Sequence, residues 1–337
     1  MSVFPFTAIV GQEQMKLALV LNVINPTIGG VLIMGEKGTA KSTAVRSLAE
    51  LLPHMSIAKD CPFNCDPHGF LCSSCQELLK EDGHIHEEER KMRVVELPLG
   101  ITEDRLVGTL DIEHAIKRGE KKFEPGILAE ANRNFLYVDE VNLLEDHIVD
   151  LLLDAAAMGV NTVEREGVSF VHPARFILVG TMNPEEGDLR PQFLDRFGLC
   201  VRIESLQDKI ARKEILTRRA AFDADADSFL LEWNVEQETL ARNIVQAQQR
   251  LQSVGFADQA LDKIVEITTA LNLDGHRGDI VIMRAAQALA ALRDRSSIAS
   301  DDVRDAAQLA LRHRMKRLPF EEIGLESEKL QRALAGL

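Results

Sequence analysis

The chain has 337 residues, enough for two domains at roughly 100–200 residues each. Hydrophobic residues at 45% and charged residues at 27% exclude a disordered or fibrous chain, and no apolar run approaches the roughly 18 residues of a membrane-spanning helix. A formal net charge of −14 argues against nucleic acid as a partner, because phosphates repel an acidic surface unless basic residues are gathered locally.

The N-terminus, MSVFPFTAIVGQ, lacks the basic stretch, apolar run and small-residue cleavage site of a secretory signal. The expected compartment is the cytoplasm, or a comparable one if a transit peptide was trimmed. Short apolar runs follow at 31–34, 94–97, 135–138, 176–179 and 199–203, each rich in branched or aromatic residues and bounded by turn residues. Such runs read as buried strands of a parallel sheet with helices on both faces.

The first run leads into Gly35-Glu36-Lys37-Gly38-Thr39-Ala40-Lys41-Ser42-Thr43, and a helical pattern comes next. Phosphates need inward-pointing backbone N–H groups and a helix N-terminus behind them, and glycines let the backbone approach closely. In this phosphate-binding loop Lys41 is expected at the β- and γ-phosphates of ATP, and the Ser42 hydroxyl on the accompanying Mg²⁺. The strict pattern fails at Ala40, where a second glycine is usual. The competing reading is a chance glycine loop before a helix.

Residues 56–92 are too long for an ordinary connection and read as an insertion. They carry Cys61, Cys65, Cys72 and Cys75, four of the five cysteines, and Cys200 stands alone in an apolar stretch. Two short spacings suit tetrahedral Zn²⁺, with His68 as a competing ligand; a redox-sensitive thiol pair and inert cysteines are the alternatives. Cys200 reads as a core residue.

The run at 135–138 ends in Asp139 and Glu140. A strand that ends in two acids places them where ligands bind in open α/β folds. Asp139 is expected to hold Mg²⁺ through water, and Glu140 to orient or deprotonate the attacking water. Residues 159–172 alternate around Arg165-Glu166-Gly167 and predict a β-hairpin. A strand expected at 176–180 delivers Thr181-Met182-Asn183, with Asn183 expected at the γ-phosphate or the water, or else acting as a turn residue before Pro184. Arg196, in Asp195-Arg196-Phe197, suits an arginine finger supplied to a neighbouring subunit; a pair within the chain with Asp195 is its alternative.

After a polar linker near 223–230 the pattern becomes helical, with helices expected near 235–252, 257–271, 278–293 and 300–313 and N-cap signals at Ser300 and Asp301. This divides the chain into an α/β nucleotide-binding domain at 1–222 and an all-α domain at 223–337. Arg277, in Gly275-His276-Arg277, is placed to report nucleotide state to that lid, with Arg284 as runner-up. The basic run at 312–317 reads as a solvated helix end.

These pieces together resemble the AAA+ ATPase class. The stretches Leu97-Pro-Leu-Gly-Ile-Thr-Glu-Asp-Arg-Leu-Val-Gly, Phe123-Glu-Pro-Gly-Ile-Leu-Ala, Leu136-Tyr-Val-Asp-Glu-Val-Asn-Leu-Leu-Glu-Asp and Asn183-Pro-Glu-Glu-Gly-Asp-Leu-Arg-Pro-Gln-Phe-Leu-Asp-Arg-Phe-Gly narrow the match. They look like the small ATPase subunit of magnesium chelatase and its cobalt-chelatase relatives. The similarity extends from Ile9-Val10-Gly11-Gln12 through the helical region.

The resemblance implies a hexameric ring that hydrolyses ATP beside a second AAA+ subunit with an integrin-like domain. Together they drive a large porphyrin-binding subunit to insert Mg²⁺ into protoporphyrin IX, in the cytoplasm or a plastid stroma, on the route to chlorophyll. It also implies that 99–118 and 159–172 are inserts facing partners. Ala40 and the cysteine cluster depart from the usual family pattern. The same motor serving a cobalt chelatase, and a remodelling ATPase of the MoxR-like chaperone kind, are the alternatives. A DNA motor fits poorly, because the hairpin tip carries Glu164-Arg165-Glu166 on an acidic chain.

Overall fold

The computed structural model describes residues 2–36, 38–111, 122–165, 168–187, 189–315 and 325–335. Helix α1 (Glu13–Ile24) leads to strand β1 (Val31–Gly35) and helix α2 (Lys41–Leu51). Strand β2 (Met55–Ala58), helix α3 (Ser73–Asp82) and strand β3 (Glu87–Arg90) form the cysteine-rich insertion, in which the two strands pair antiparallel. Next come β4 (Val94–Leu97), α4 (Glu103–Val107), β5 (Gly108–Asp111), β6 (Lys122–Pro125), α5 (Ile127–Ala131) and β7 (Phe135–Val138). Helix α6 (Asp146–Met158) precedes β8 (Val160–Arg165), β9 (Val168–Pro173) and β10 (Ile177–Met182).

Beyond β10 lie α7 (Pro191–Leu194) and β11 (Leu199–Ile203). The remainder is helical: α8 (Lys209–Ala224), α9 (Ala226–Glu232), α10 (Asn234–Arg250), α11 (Asp258–Ala270), α12 (Arg277–Leu292), α13 (Ser300–Leu311) and α14 (Leu325–Ala335). The chain forms two compact units, one of Met1–Leu51 with Met182–Leu337, the other of Leu52–Thr181.

In the first unit β1 pairs parallel with β11, and Val31, Leu32, Ile33, Leu199 and Cys200 are buried. Parallel strands covered on both faces read as near-continuous apolar runs, and of these two strands only Arg202 is exposed. Helix α1 packs on both strands, and α13 packs on β11. In the second unit β7 lies between β4 and β10, all parallel, and the register aligns Leu97, Val138 and Gly180 in one row. That row puts the residues that follow Val138 and Gly180, namely Asp139 and Thr181, at the same carboxyl edge.

Three sequence expectations need correction. The stretch near 223–230 is not a linker: Asp225 breaks α8 and caps α9, its carboxylate accepting from the Ser228 N–H at 3.1 Å. An aspartate run looks like a solvated connection, but one extended aspartate is also what a helix start requires. The cap of α13 is Ala299, not Ser300 or Asp301; the buried Asp302 reaches back to accept from the Ala299 N–H at 2.9 Å. Strand β10 continues to Met182, so Thr181 belongs to the sheet rather than to a loop after it.

Candidate functional site

The phosphate loop leaves β1 at Gly35 and enters α2 at Lys41. A Cβ on Gly35 would stand 2.5 Å from the Ile203 carbonyl oxygen, so only glycine fits beside β11. Gly38 has φ +82°, and Ala40 has φ +61°, a left-handed conformation that explains why glycine is usual at that position. The Lys41 ammonium donates to the carbonyls of Gly35 (2.6 Å) and Glu36 (3.0 Å). The Thr39 hydroxyl donates to the Glu36 carbonyl at 2.9 Å, and the Ser205 hydroxyl donates to the Glu36 carboxylate at 2.9 Å. Ser42 and Thr43 lie in the first turn of α2, whose leading N–H groups have no partner within the helix. Gly35, Glu36, Gly38, Thr39, Ala40, Lys41, Ser42 and Thr43 thus form one turn-to-helix junction. Lys37 lies outside the described residues.

The second cluster is built by β7 and β10. Asp139 is exposed at the end of the wholly buried strand β7, and its Oδ1 accepts from the Thr181 hydroxyl (2.6 Å) and the Tyr137 hydroxyl (3.2 Å). The Thr181 oxygen also accepts from the Glu140 N–H at 3.1 Å. One hydroxyl therefore orients Asp139 and fixes the backbone of Glu140, which takes φ +53° as the chain turns away from the sheet. Left-handed non-glycine backbone of this kind collects at functional sites. Burial, followed by the Asp139 charge, pushes the Tyr137 phenol well above its ordinary range, so it stays a donor. Tyr137 and Thr181 have no role assigned by sequence alone. Tyr137 is two residues from Asp139 on a strand, and that spacing, which puts both side chains on one face, is the available signal.

The arginines organise around Asp195. The Arg277 guanidinium, in the first turn of α12, donates to Asp195 Oδ2 at 3.2 Å. Arg314 is only 4% exposed; it donates from Nε to Asp195 Oδ1 at 3.1 Å and from its terminal nitrogens to the carbonyls of Asp195, Phe197 and Gly198. The segment that carries Arg196 is thus clamped on either side of that residue. Arg196 is half-buried, and its own N–H donates to the Phe193 carbonyl. Asp195, suggested as a partner for Arg196, has its two carboxylate oxygens on Arg314 and Arg277. Arg284 donates to the Thr27 carbonyl. Asn183 caps the short turn Pro184–Glu186, accepting from the Glu185 N–H at 3.3 Å.

The reading of 312–317 as a solvated end fails at His313 and Arg314, half-buried residues whose side chains bond to the 195–198 segment; Lys316 and Arg317 lie outside the described residues. His313 Nε2 donates to the Phe197 carbonyl at 3.0 Å, and burial, with Arg314 beside it, pushes its pKa down to about 3. A run of six basic-rich residues hides this, because periodicity says which face is buried only when apolar residues mark it.

The four cysteines of the insertion converge, with all four Sγ atoms within 4.8 Å of one another. His68 is not among them: it is 77% exposed and faces Glu87. Cys200 is buried in β11, as expected of a core residue.

Strand, glycine-lined loop and helix, together with a strand ending in Asp139-Glu140 and a helical C-terminal region, define an AAA+ protein of the P-loop class. A family model described as an AAA lid domain matches residues 261–333, and one described as magnesium chelatase, subunit ChlI, matches residues 111–192. A "Magnesium-chelatase subunit ChlI homolog" of Methanocaldococcus jannaschii is 57% identical over 98% of this chain and 91% of its own length. The "Magnesium-chelatase subunit ChlI" of Cyanophora paradoxa is 52% identical over 99% of this chain and 98% of its own. The chain belongs to the magnesium chelatase ChlI family.

Among solved structures, a chain from the complex between subunits BchI and BchD of magnesium chelatase, based on a single-particle cryo-EM reconstruction, is 47% identical with a TM-score of 0.58, covering 98% of this chain and 100% of its own. A putative ATPase from Cytophaga hutchinsonii shares only the fold, at 17% identity and a TM-score of 0.65, covering 98% and 92%. No helix among the described residues is long and apolar enough to cross a membrane.

Proposed function

We propose that this chain is the ATPase motor subunit of a magnesium chelatase, hydrolysing ATP so that Mg²⁺ is inserted into protoporphyrin IX by a separate porphyrin-binding subunit. The observation that carries this is the pair of preformed elements, the Lys41 loop and the Thr181-braced Asp139–Glu140 turn, in a chain about half identical to named magnesium-chelatase subunits over nearly its whole length.

In this reading the loop N–H groups and Lys41 hold the triphosphate, and Ser42 and Asp139 hold the Mg²⁺ of Mg-ATP, which neutralises charge on the β- and γ-oxygens. Glu140 orients the attacking water and accepts its proton, while the Asn183 amide aligns that water against the γ-phosphate. Phosphoryl transfer through a loose transition state asks mainly for such positioning and charge compensation. Arg196 acts across a subunit boundary of a homohexameric ring, a contribution worth roughly 10³–10⁵ in turnover where arginine fingers are known. Arg277 links nucleotide state to the lid by exchanging Asp195 for phosphate. The division at 222/223 into nucleotide-binding domain and lid belongs to the same proposal.

The partners are a second AAA+ subunit with an integrin-like domain, resembling BchD, and the porphyrin-binding subunit, with 99–118 and 159–172 as contact inserts and the cytoplasm or a plastid stroma as the compartment. The test is reconstitution: this chain, the two partner subunits, protoporphyrin IX, Mg²⁺ and ATP should yield Mg-protoporphyrin only when all are present. Omitting this chain without effect refutes the proposal. Activity with Co²⁺ and a corrin precursor, and none with Mg²⁺ and protoporphyrin, moves the motor to cobalt chelation.

A further inference from the structure

The cysteine-rich insertion has a geometry that the ATPase reading does not use. Cys61 and Cys65 lie on the loop after β2, which is closed tightly by Cys61 N–H to the Ala58 carbonyl (3.3 Å), Asn64 N–H to the Cys61 carbonyl (3.2 Å) and Ala58 N–H to the Cys65 carbonyl (2.9 Å). Cys72 is the N-cap of α3, and Cys75 sits in the first turn of that helix. The second arm therefore presents both of its sulfurs from the N-terminal turn of one helix. The Cys72 N–H donates to Cys65 Sγ at 3.2 Å, which ties the two arms together.

The distances discriminate among the ways four cysteines can meet. Zn–S bonds of about 2.3 Å at tetrahedral angles place neighbouring sulfurs about 3.8 Å apart. Cys61 and Cys72 Sγ stand 3.8 Å apart, and all four sulfurs lie within 4.8 Å. A disulfide needs about 2.05 Å, and a four-iron cluster, with one cysteine on each cube corner, spreads its sulfurs much further. Cys65, Cys72 and Cys75 are buried, and four sulfurs converging in such a site repel one another as thiolates unless a cation compensates.

We infer that Cys61, Cys65, Cys72 and Cys75 bind one zinc ion as a closed tetrathiolate, and that this ion fixes the loop that inserts Phe63 between two hairpins. Four protein ligands leave no open position, so the ion is structural. It is distinct both from the magnesium of the nucleotide and from the metal that a chelatase inserts.

Phe63, between Cys61 and Cys65, has its ring 4.8 Å from that of His172, 5.7 Å from Phe170 and 6.2 Å from Phe123. Phe123 and Phe170 stack on each other at 4.2 Å, joining β5–β6 to β8–β9. The Phe63 carbonyl accepts from Asn132 Nδ2 at 2.7 Å, and Asn64 Nδ2 donates to the Glu130 carbonyl at 3.1 Å, tying the loop to the end of α5. The metal thus braces the contact between the paired strands β5–β6 and β8–β9.

The test uses the full chain, purified without chelator. Elemental analysis should give one zinc per chain, released by stoichiometric p-hydroxymercuribenzoate. Co²⁺ added to the released protein should give the visible spectrum of tetrahedral thiolate ligation. Cys61→Ser and Cys72→Ser should lower zinc content at least tenfold, and Cys200→Ser should retain one equivalent. If the serine variants do not fold, the release and Co²⁺ titration of the wild-type chain decide alone. No zinc with no tetrathiolate Co²⁺ spectrum, iron in place of zinc, or a native disulfide among the four overturns the assignment. On metal removal, amide exchange at 122–125 and 168–173 should accelerate at least tenfold; unchanged exchange refutes the bracing role. ATP affinity should survive metal removal, so the zinc assignment and the ATPase proposal fail independently.

Discussion

Replacing Ala40 with glycine should stabilise the nucleotide-free protein. Ala40 has φ +61° and is exposed, so no contact is lost with its methyl group. Left-handed backbone costs an L-residue about 1–2 kcal/mol. Glycine removes that cost but gives back about 0.4–1 kcal/mol through the greater freedom of its unfolded chain. The balance is roughly 0.5–1 kcal/mol in favour of Ala40→Gly, or a rise in melting temperature of about 1 °C for a chain of 337 residues. Ala40→Val should lose more than about 1 kcal/mol, because a β-branched residue is a strong outlier at positive φ. Calorimetric melting of the three proteins at one fixed concentration and without nucleotide is the assay, since ligand binding and oligomerisation both shift the transition. An Ala40→Gly protein that melts lower than the parent, or an Ala40→Val protein that melts with it, would falsify the left-handed assignment and the account of the motif's departure built on it.

Lys41→Ala should abolish tight ATP binding, measured by titration with a fluorescent nucleotide; unchanged affinity removes the loop from phosphate recognition. Thr181→Val takes away the hydroxyl that holds Asp139 and the Glu140 N–H, and turnover should fall about 10–100-fold, the usual scale for loss of a group that orients metal ligands, while metal-free nucleotide affinity holds. Stability should also fall with acid through His313. Its folded pKa, about 3, lies below the ordinary 6.5, so the unfolded chain binds the extra proton between those values. The His313 contribution is complete above about pH 6.5 and is lost as pH falls toward 3, at up to about 1.4 kcal/mol per pH unit. In His313→Gln, urea unfolding across that window should show a shallower acid limb, and an identical limb would assign the titration elsewhere.

The chemistry of the nucleotide elements was legible because it is local. The loop needs glycine and lysine at fixed spacing after a strand, and Asp139-Glu140 ends a wholly apolar run, so neighbouring residues specify each. The cysteine cluster was legible as a set but not as a shape, since the choice among zinc, redox pair and inert thiols depends on sulfur distances that spacing leaves open. Asp225 was misread because a capping aspartate and a solvated one are the same letter. Arg314 was missed for a different reason. Its partners at 195–198 lie more than a hundred residues upstream, and nothing local distinguishes a guanidinium that wraps three carbonyls from one that faces water. Thr181 lies between these cases: its strand reads as ending at Gly180, two residues short of Met182, which takes Thr181 off the row that aligns it with Asp139.

The pairing of Val31 with Leu199 sets an order of assembly during synthesis. Residues 52–181 are contiguous and have all of their own unit when Thr181 emerges, whereas β1 must wait for β11. At about 5–20 residues per second the delay is about ten to thirty seconds. Closing so long a loop also carries an entropic penalty that grows with the logarithm of its length, and pairings this remote form slowly. Throughout that interval the nascent chain displays Val-Leu-Ile-Met without its final neighbour, so the strand that feeds the phosphate loop is the segment a ribosome-associated chaperone has most reason to shield.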